Sequence, residues 1–157
     1  MARKATIVVF SGDYDKALAA MNIANGAAAS GMEVTLFFCL WGTLLLKKRG
    51  GLVRGDNWMT KLFGLMERGG IKGARLSKWN MLGLGKWMLR RMMRVKGAAS
   101  LEDLWMTARQ FGVRFLVCDL SLEVLGLTPD DLEGVDDFVG VGTYVKEASE
   151  SEITLFI

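Results

Sequence analysis

The chain has 157 residues, 51% of them hydrophobic and 24% charged, with a net charge of +3 and no histidine. That length and apolar content suit a single domain over residues 1–157, able to bury a core without covalent staples. Lack of histidine excludes Ser-His and Cys-His nucleophilic pairs, zincin helices and histidine-ligated metal centres, which leaves lone-thiol chemistry, carboxylate chemistry or binding without catalysis; no metal or other cofactor is expected.

The two cysteines stand far apart and outside any C-x-x-C arrangement, which argues against a disulfide framework or a structural zinc and for a reducing, cytoplasmic setting. MARKATIVVF runs directly into a strand pattern, with no signal peptide expected. The longest uncharged run, Val34 to Leu46, is too short to span a bilayer. Neither dinucleotide nor P-loop glycine motifs occur; Gly83-Leu84-Gly85-Lys86 is the nearest approach and no strand precedes it.

In chain order, Ala5 to Phe10 reads as a first strand and Ser11-Gly12-Asp13 as the turn and cap of a helix reaching about Ser30. Asp13 and Asp15 fall in its first turn, where the helix dipole favours carboxylates. Glu33 to Phe38 is a second strand, apolar enough to be covered on both faces. Cys39-Leu40-Trp41-Gly42 follows, then a brief helix over Thr43 to Leu46.

A glycine-rich, basic interruption occupies residues 47–97 and reads as short helices joined by turns. Trp58 to Glu67 can form one helix. Lys78 to Val95 forms another, with Met81, Leu84, Met88 and Met92 on an apolar face and Lys86, Arg90 and Arg94 in a basic stripe. Ser100 caps the next helix, Leu101 to Phe111, with Asp103 completing the capping box. Val113 to Val117 is the third strand, Ser121 to Leu125 a helix, Thr128-Pro129 a short helical turn, Val135 to Val139 a weak fourth strand, Gly140 to Glu150 a helix and Ile153 to Ile157 the last strand. This alternation implies an α/β three-layer sandwich, with five mostly parallel strands, helices on both faces and a helical insertion between strands two and three.

Cys118 is the chemically notable residue. It ends a strand and precedes a helix, at the edge where open α/β sheets place their ligand crevice. Helix N-H groups there favour a thiolate, although Asp119 opposes it and buried cysteine is also an ordinary core residue. Ser11, Gly12, Cys39, Trp41, Asp119 and Ser121 lie at neighbouring strand ends and are the pocket candidates. In a 2-1-3 strand order Cys39 and Cys118 would be two strand spacings apart, roughly 9 to 10 Å, too far for a direct disulfide.

Charge is segregated along the chain. Lys47 to Lys96 holds fourteen Lys and Arg against Asp56 and Glu67, whereas ten acids from Asp119 onward face only Lys146. The helix bearing Lys86, Arg90 and Arg94 has three readings: an apolar face packed inward with solvated charges, a docking surface for an acidic protein or another subunit, or peripheral attachment to anionic lipid. No nucleic-acid reader motif accompanies the charge.

Three stretches, SGDYDKALAAMNIANGAAASGMEVTLFF from Ser11, LSKWNMLGLG from Leu76 and CDLSLEVLGL from Cys118, give the chain a nearly full-length similarity to a known group. It resembles the DsrE/DsrF-like sulfur-relay family, in particular the DsrE-like sulfurtransferase branch with a long basic mid-domain segment. The resemblance implies a flavodoxin-like five-stranded sheet, a homo-oligomer, and a persulfide held on Cys118 for transfer between donor and acceptor proteins. Cys39 stands where that branch often has threonine and inherits no role. Three readings follow: a cytoplasmic sulfur carrier or sulfurtransferase acting through Cys118, a noncatalytic module binding a protein or membrane surface through the basic insertion, or a peroxide-reducing role.

Overall fold

Five runs rich in β-branched and aromatic residues become the strands of one sheet: β1 (Lys4–Val9), β2 (Glu33–Phe38), β3 (Arg114–Cys118), β4 (Asp137–Val139) and β5 (Ile153–Phe156). The computed structural model describes residues 2–48, 58, 59, 61 and 69–157. All four strand pairings are parallel, in the order β4-β3-β2-β1-β5. The fold is therefore the expected α/β three-layer sandwich. The 2-1-3 order is not adopted: β3 pairs with β2, with Phe38 opposite Val117.

Alternation along the central strands sends side chains to two differently built faces. On one, Ile7, Val9, Leu36, Phe38, Phe115 and Val117 form the main core with α1 (Tyr14–Ala29) and part of the insertion. Ala17, Ala20 and Ala24 let α1 lie close to the sheet, and Met21 fills the remaining space. On the other, Val8, Phe37, Leu116 and Cys118 cluster around Tyr144 from the helix Val141–Ser149. The Phe37 and Tyr144 rings stack at 4.4 Å with an interplanar angle of 6°, a contact worth about 1 kcal/mol beyond its buried area.

After β2 the chain makes a 3-10 turn over Leu40–Leu46, earlier than the expected Thr43 start. The expected helix over Trp58 to Glu67 lies mostly outside the described residues. A single helical turn, Gly70–Gly73, is followed by α2 (Leu84–Val95) and α3 (Leu101–Gln110). Helix α2 starts later than Lys78 because Trp79, Met81 and Leu82 have φ of 57, 38 and 58°, in the left-handed region. Gly85 makes this turn feasible, since a Cβ there would collide with the Trp79 carbonyl. The capping box of α3 forms as expected: Asp103 N-H donates to Ser100 Oγ at 3.2 Å and Ser100 N-H donates to Asp103 Oδ2 at 3.1 Å.

The Leu76–Gly85 stretch is tied to the first turn of α1. Ser77 donates from its N-H at 2.9 Å and its hydroxyl at 2.5 Å to the two oxygens of Asp15. Burial works against ionisation of Asp15, but these two donors outweigh it and hold the carboxyl below its ordinary value. Asp15 is thus an anchor for the insertion in addition to a favourable charge in the helix first turn. Asp136, which weakens β4 as a strand, has a similar structural use: it accepts from both Arg109 Nη atoms and from the Phe115 N-H, pinning the start of β4 to β3.

The amphipathic helix α2 is mounted with its faces opposite to the packed-apolar reading. Lys86 Nζ donates to the carbonyls of Lys72 and Ala74 at 2.9 and 2.6 Å and stands 4.8 Å over the Tyr14 ring. Arg90 pairs with Glu102 at 3.3 Å. Leu84, Trp87, Met88, Met92 and Val95 are exposed, while Leu89 packs partly on the main core. The surface beneath α2 supplies carbonyl oxygens, a carboxylate and an aromatic face, so it selects cations; helical periodicity alone cannot reveal that.

Candidate functional site

Cys118 is the last residue of β3 and Cys39 the first after β2, one step beyond the pair Phe38 and Val117. Both backbones are extended, with φ and ψ of −72 and 121° at Cys118 and −123 and 144° at Cys39. Their side chains join the same cluster on the Tyr144 face. The separation of two strand spacings expected between them is therefore replaced by one, about 4.8 Å. Both thiols are free, and that spacing lies within the range a direct bridge spans.

Burial, then negative charge on Cys118 and the hydrogen bond between the two side chains, pushes the Cys39 thiol up to about 12. Cys39 accordingly retains its proton and acts as an S-H donor toward Cys118. Cys118 is 3% exposed and Cys39 is half-buried.

The bend that presents Cys39 is held from several sides. Its N-H donates to the Val9 carbonyl at 3.1 Å, and Gly42 N-H donates to the Phe10 carbonyl at 2.8 Å. A Cβ on Gly42 would stand 1.9 Å from the Val9 carbonyl oxygen, so no other residue fits where this turn crosses the end of β1. Leu40 takes the left-handed conformation, φ 44°, and its N-H donates to Ser121 Oγ at 2.7 Å. Ser121 sits in the seven-residue helix α4 (Asp119–Leu125) directly after Cys118 and is 1% exposed. One hydroxyl thus couples the two cysteine-bearing turns.

The remaining candidates divide. Ser11, Gly12 and Trp41 line a cavity of about 300 Å³ at the carboxyl end of β1, together with Phe10, Lys16 and Arg75. Neither cysteine lines it; Phe10 lines it and also packs on the Cys118 cluster. Ser11 Oγ donates to Asp13 at 2.9 Å, and Asp13 pairs with Lys16 at 3.0 Å. Asp119 is exposed on α4. Of the three cations expected to face a partner, Lys86 and Arg90 are committed to contacts within the protein and Arg94 is exposed.

Sequence reasoning missed Phe10, Phe37 and Tyr144 as neighbours of the sulfur. The alternation of β2 could have supplied Phe37, which shares the odd positions of Cys39. Tyr144 carried no local signal, because its helix reaches the cysteine face only through the sheet crossover.

An all-parallel five-stranded sheet with two neighbouring thiols at its strand ends defines a class of small α/β proteins, and the sequence pattern of the DsrE/DsrF/DrsH-like family matches residues 1–156. The chain belongs to that family. It is 39% identical over 155 residues to the YrkE protein of Bacillus subtilis, covering 99% of this chain and 97% of that one. It is 29% identical over 159 residues to the sulfur carrier protein DsrE2 of Allochromatium vinosum, covering 99% and 98%. Among solved structures, MTH1491 of Methanobacterium thermoautotrophicum aligns with a TM-score of 0.53 at 17% identity, over 99% of each chain. The ychN protein of E. coli aligns at 0.54 with 10% identity, over the whole of both. These two likenesses concern the fold.

Proposed function

We propose that the protein is a sulfur carrier or sulfurtransferase of a relay, holding sulfane sulfur as a persulfide on Cys118. The observation that carries this reading is the thiol pair: Cys118 at the end of β3 with Cys39 beside it as a proton-holding neighbour. Membership of the family and similarity to a relative named as a sulfur carrier support it.

The chemistry needs neither metal nor nucleotide. Cys118 Sγ, as thiolate, attacks the sulfane sulfur of a donor persulfide, forms an S-S bond to it and expels the donor thiolate. The thiolate of an acceptor protein then attacks the outer sulfur and Cys118 leaves as thiolate. Each exchange forms one bond and breaks one, with no net oxidation. The Cys39 S-H is a hydrogen-bond donor to the negative sulfur at either stage. Because Cys118 is 3% exposed, sulfur reaches it past Cys39 or on displacement of the Tyr144 helix. That helix exposes Val141 and Val145, and β5 exposes Phe156, apolar surface that a donor, an acceptor or a second copy of the chain would cover.

The test is intact-mass spectrometry after incubation with polysulfide, in the presence and absence of a thiol reductant. A reductant-labile gain of one sulfur that disappears in Cys118→Ser and persists in Cys39→Ser supports the reading. An equal gain in Cys118→Ser rejects it.

A further inference from the structure

Residues 69–100 contain eight Lys and Arg and no acid. The structure divides them by role. Lys86 and Arg90 turn inward and fasten α2 to the protein, whereas Lys78, Arg91, Arg94 and Lys96 are exposed. Between these cations the outer face is apolar: Trp79 is 82% exposed, Leu82 is fully exposed, and Leu84, Trp87, Met88 and Met92 range from 50 to 60%. Large apolar side chains in this number on one helix and its leading loop exceed the scattered exposure ordinary for a protein surface.

The loop reinforces the point. Trp79, Met81 and Leu82 are held in the left-handed region with their side chains directed away from the core. Such backbone is unfavourable for residues with a Cβ and persists where other interactions offset it. The contacts of Lys86 with two carbonyls and of Asp15 with Ser77 supply that offset on the inner side.

We propose that this outer face of α2 and its leading loop is a peripheral membrane surface that binds bilayers containing anionic lipid. The alternation of exposed large apolar side chains with cations, and the absence of any acid over residues 69–100, fit this occupant. Two copies meeting through the same face would oppose cation to cation, whereas an anionic bilayer accepts the apolar side chains in its interface and the flanking cations at its headgroups. Tryptophan and arginine on one amphipathic helix suit that boundary. The helix has 12 residues, about 18 Å, so it lies along the surface and does not cross the bilayer. Among the described residues no helix is long and apolar enough to span a membrane.

Co-flotation of the full chain with vesicles tests this independently of any sulfur chemistry. Vesicles of phosphatidylcholine mixed with phosphatidylglycerol should bind the protein, vesicles of phosphatidylcholine alone much less, and raised salt should weaken binding. Arg91→Gln with Arg94→Gln should lower partitioning roughly 25-fold, about 5-fold per cation. Met88→Gln with Met92→Gln should lower it about 10-fold or more by keeping those side chains out of the interface. These positions are exposed, so unchanged circular dichroism and unchanged sulfur loading at Cys118 separate loss of binding from loss of fold or of the relay chemistry. Failure to bind the anionic vesicles at low salt, equal binding to both vesicle types, or binding unaffected by the methionine changes overturns the proposal.

Discussion

The state of Cys39 can be measured through its reaction with iodoacetamide, which consumes thiolate. Burial, the charge on Cys118 and the hydrogen bond between the two thiols raise Cys39 from an ordinary 9.0 to about 12. At about pH 8 that leaves roughly one-thousandth of the thiolate an ordinary cysteine would have, at tenfold for each 1.36 kcal/mol. A timed labelling series, quenched and digested with trypsin, separates the two sites, because Cys39 falls in Ala17–Lys47 and Cys118 in Phe115–Lys146. Cys39 should label about three orders of magnitude more slowly than in the unfolded chain near pH 8, and burial can slow it further. Cys118→Ala removes the charge and the hydrogen bond and leaves only burial, so the Cys39 profile should move to lower pH and its rate should rise. Labelling of native Cys39 within about tenfold of the unfolded rate, or a profile unaffected by Cys118→Ala, would refute the assigned state of Cys39.

The fold makes three further predictions. Asp136 is held below its ordinary value, chiefly by its hydrogen bond from Arg109, with burial opposing. A depressed carboxylate stabilises above its unfolded pKa of about 3.9 and loses that contribution as pH falls through the folded value. Asp136→Asn should therefore cost about 1 kcal/mol in urea unfolding near neutrality, a small figure because both partners are more than a third exposed, and the cost should vanish in strong acid. Gly42→Ala should cost about 1 to 3 kcal/mol and disturb Cys39 labelling, since the added methyl would lie 1.9 Å from the Val9 carbonyl oxygen. Tyr144→Phe should be close to neutral in thermal unfolding, because the Tyr144 hydroxyl has no hydrogen-bond partner among the described residues, whereas Tyr144→Ala should cost about 3 to 5 kcal/mol.

Much of the architecture was readable in the chain. Ala5 to Phe10, Glu33 to Phe38 and Val113 to Val117 announced themselves as strands because each is apolar on both faces, and Ser100 with Asp103 marked the start of α3 as clearly as in the structure. Cys118 was legible as a strand-end thiol for the same reason. The neighbourhood of that thiol was not. The segment between Phe38 and Arg114 separates β2 from β3 in sequence and carries no local sign that the two strands are adjacent, so a 2-1-3 order puts Cys39 one strand too far from Cys118. Periodicity likewise identified the two faces of α2 but not which one turns inward. That depended on the Lys72 and Ala74 carbonyls, the Tyr14 ring and Glu102, gathered from three separate stretches. Local pattern fixes the element; partners distant in sequence fix its orientation.

The central claim concerns where a transferred sulfur resides. After loading with polysulfide and trapping by a thiol-blocking reagent, peptide-level mass spectrometry should find the added sulfur on the Phe115–Lys146 peptide that carries Cys118. Sulfur found on the Ala17–Lys47 peptide with Cys39, or on neither, would contradict the account.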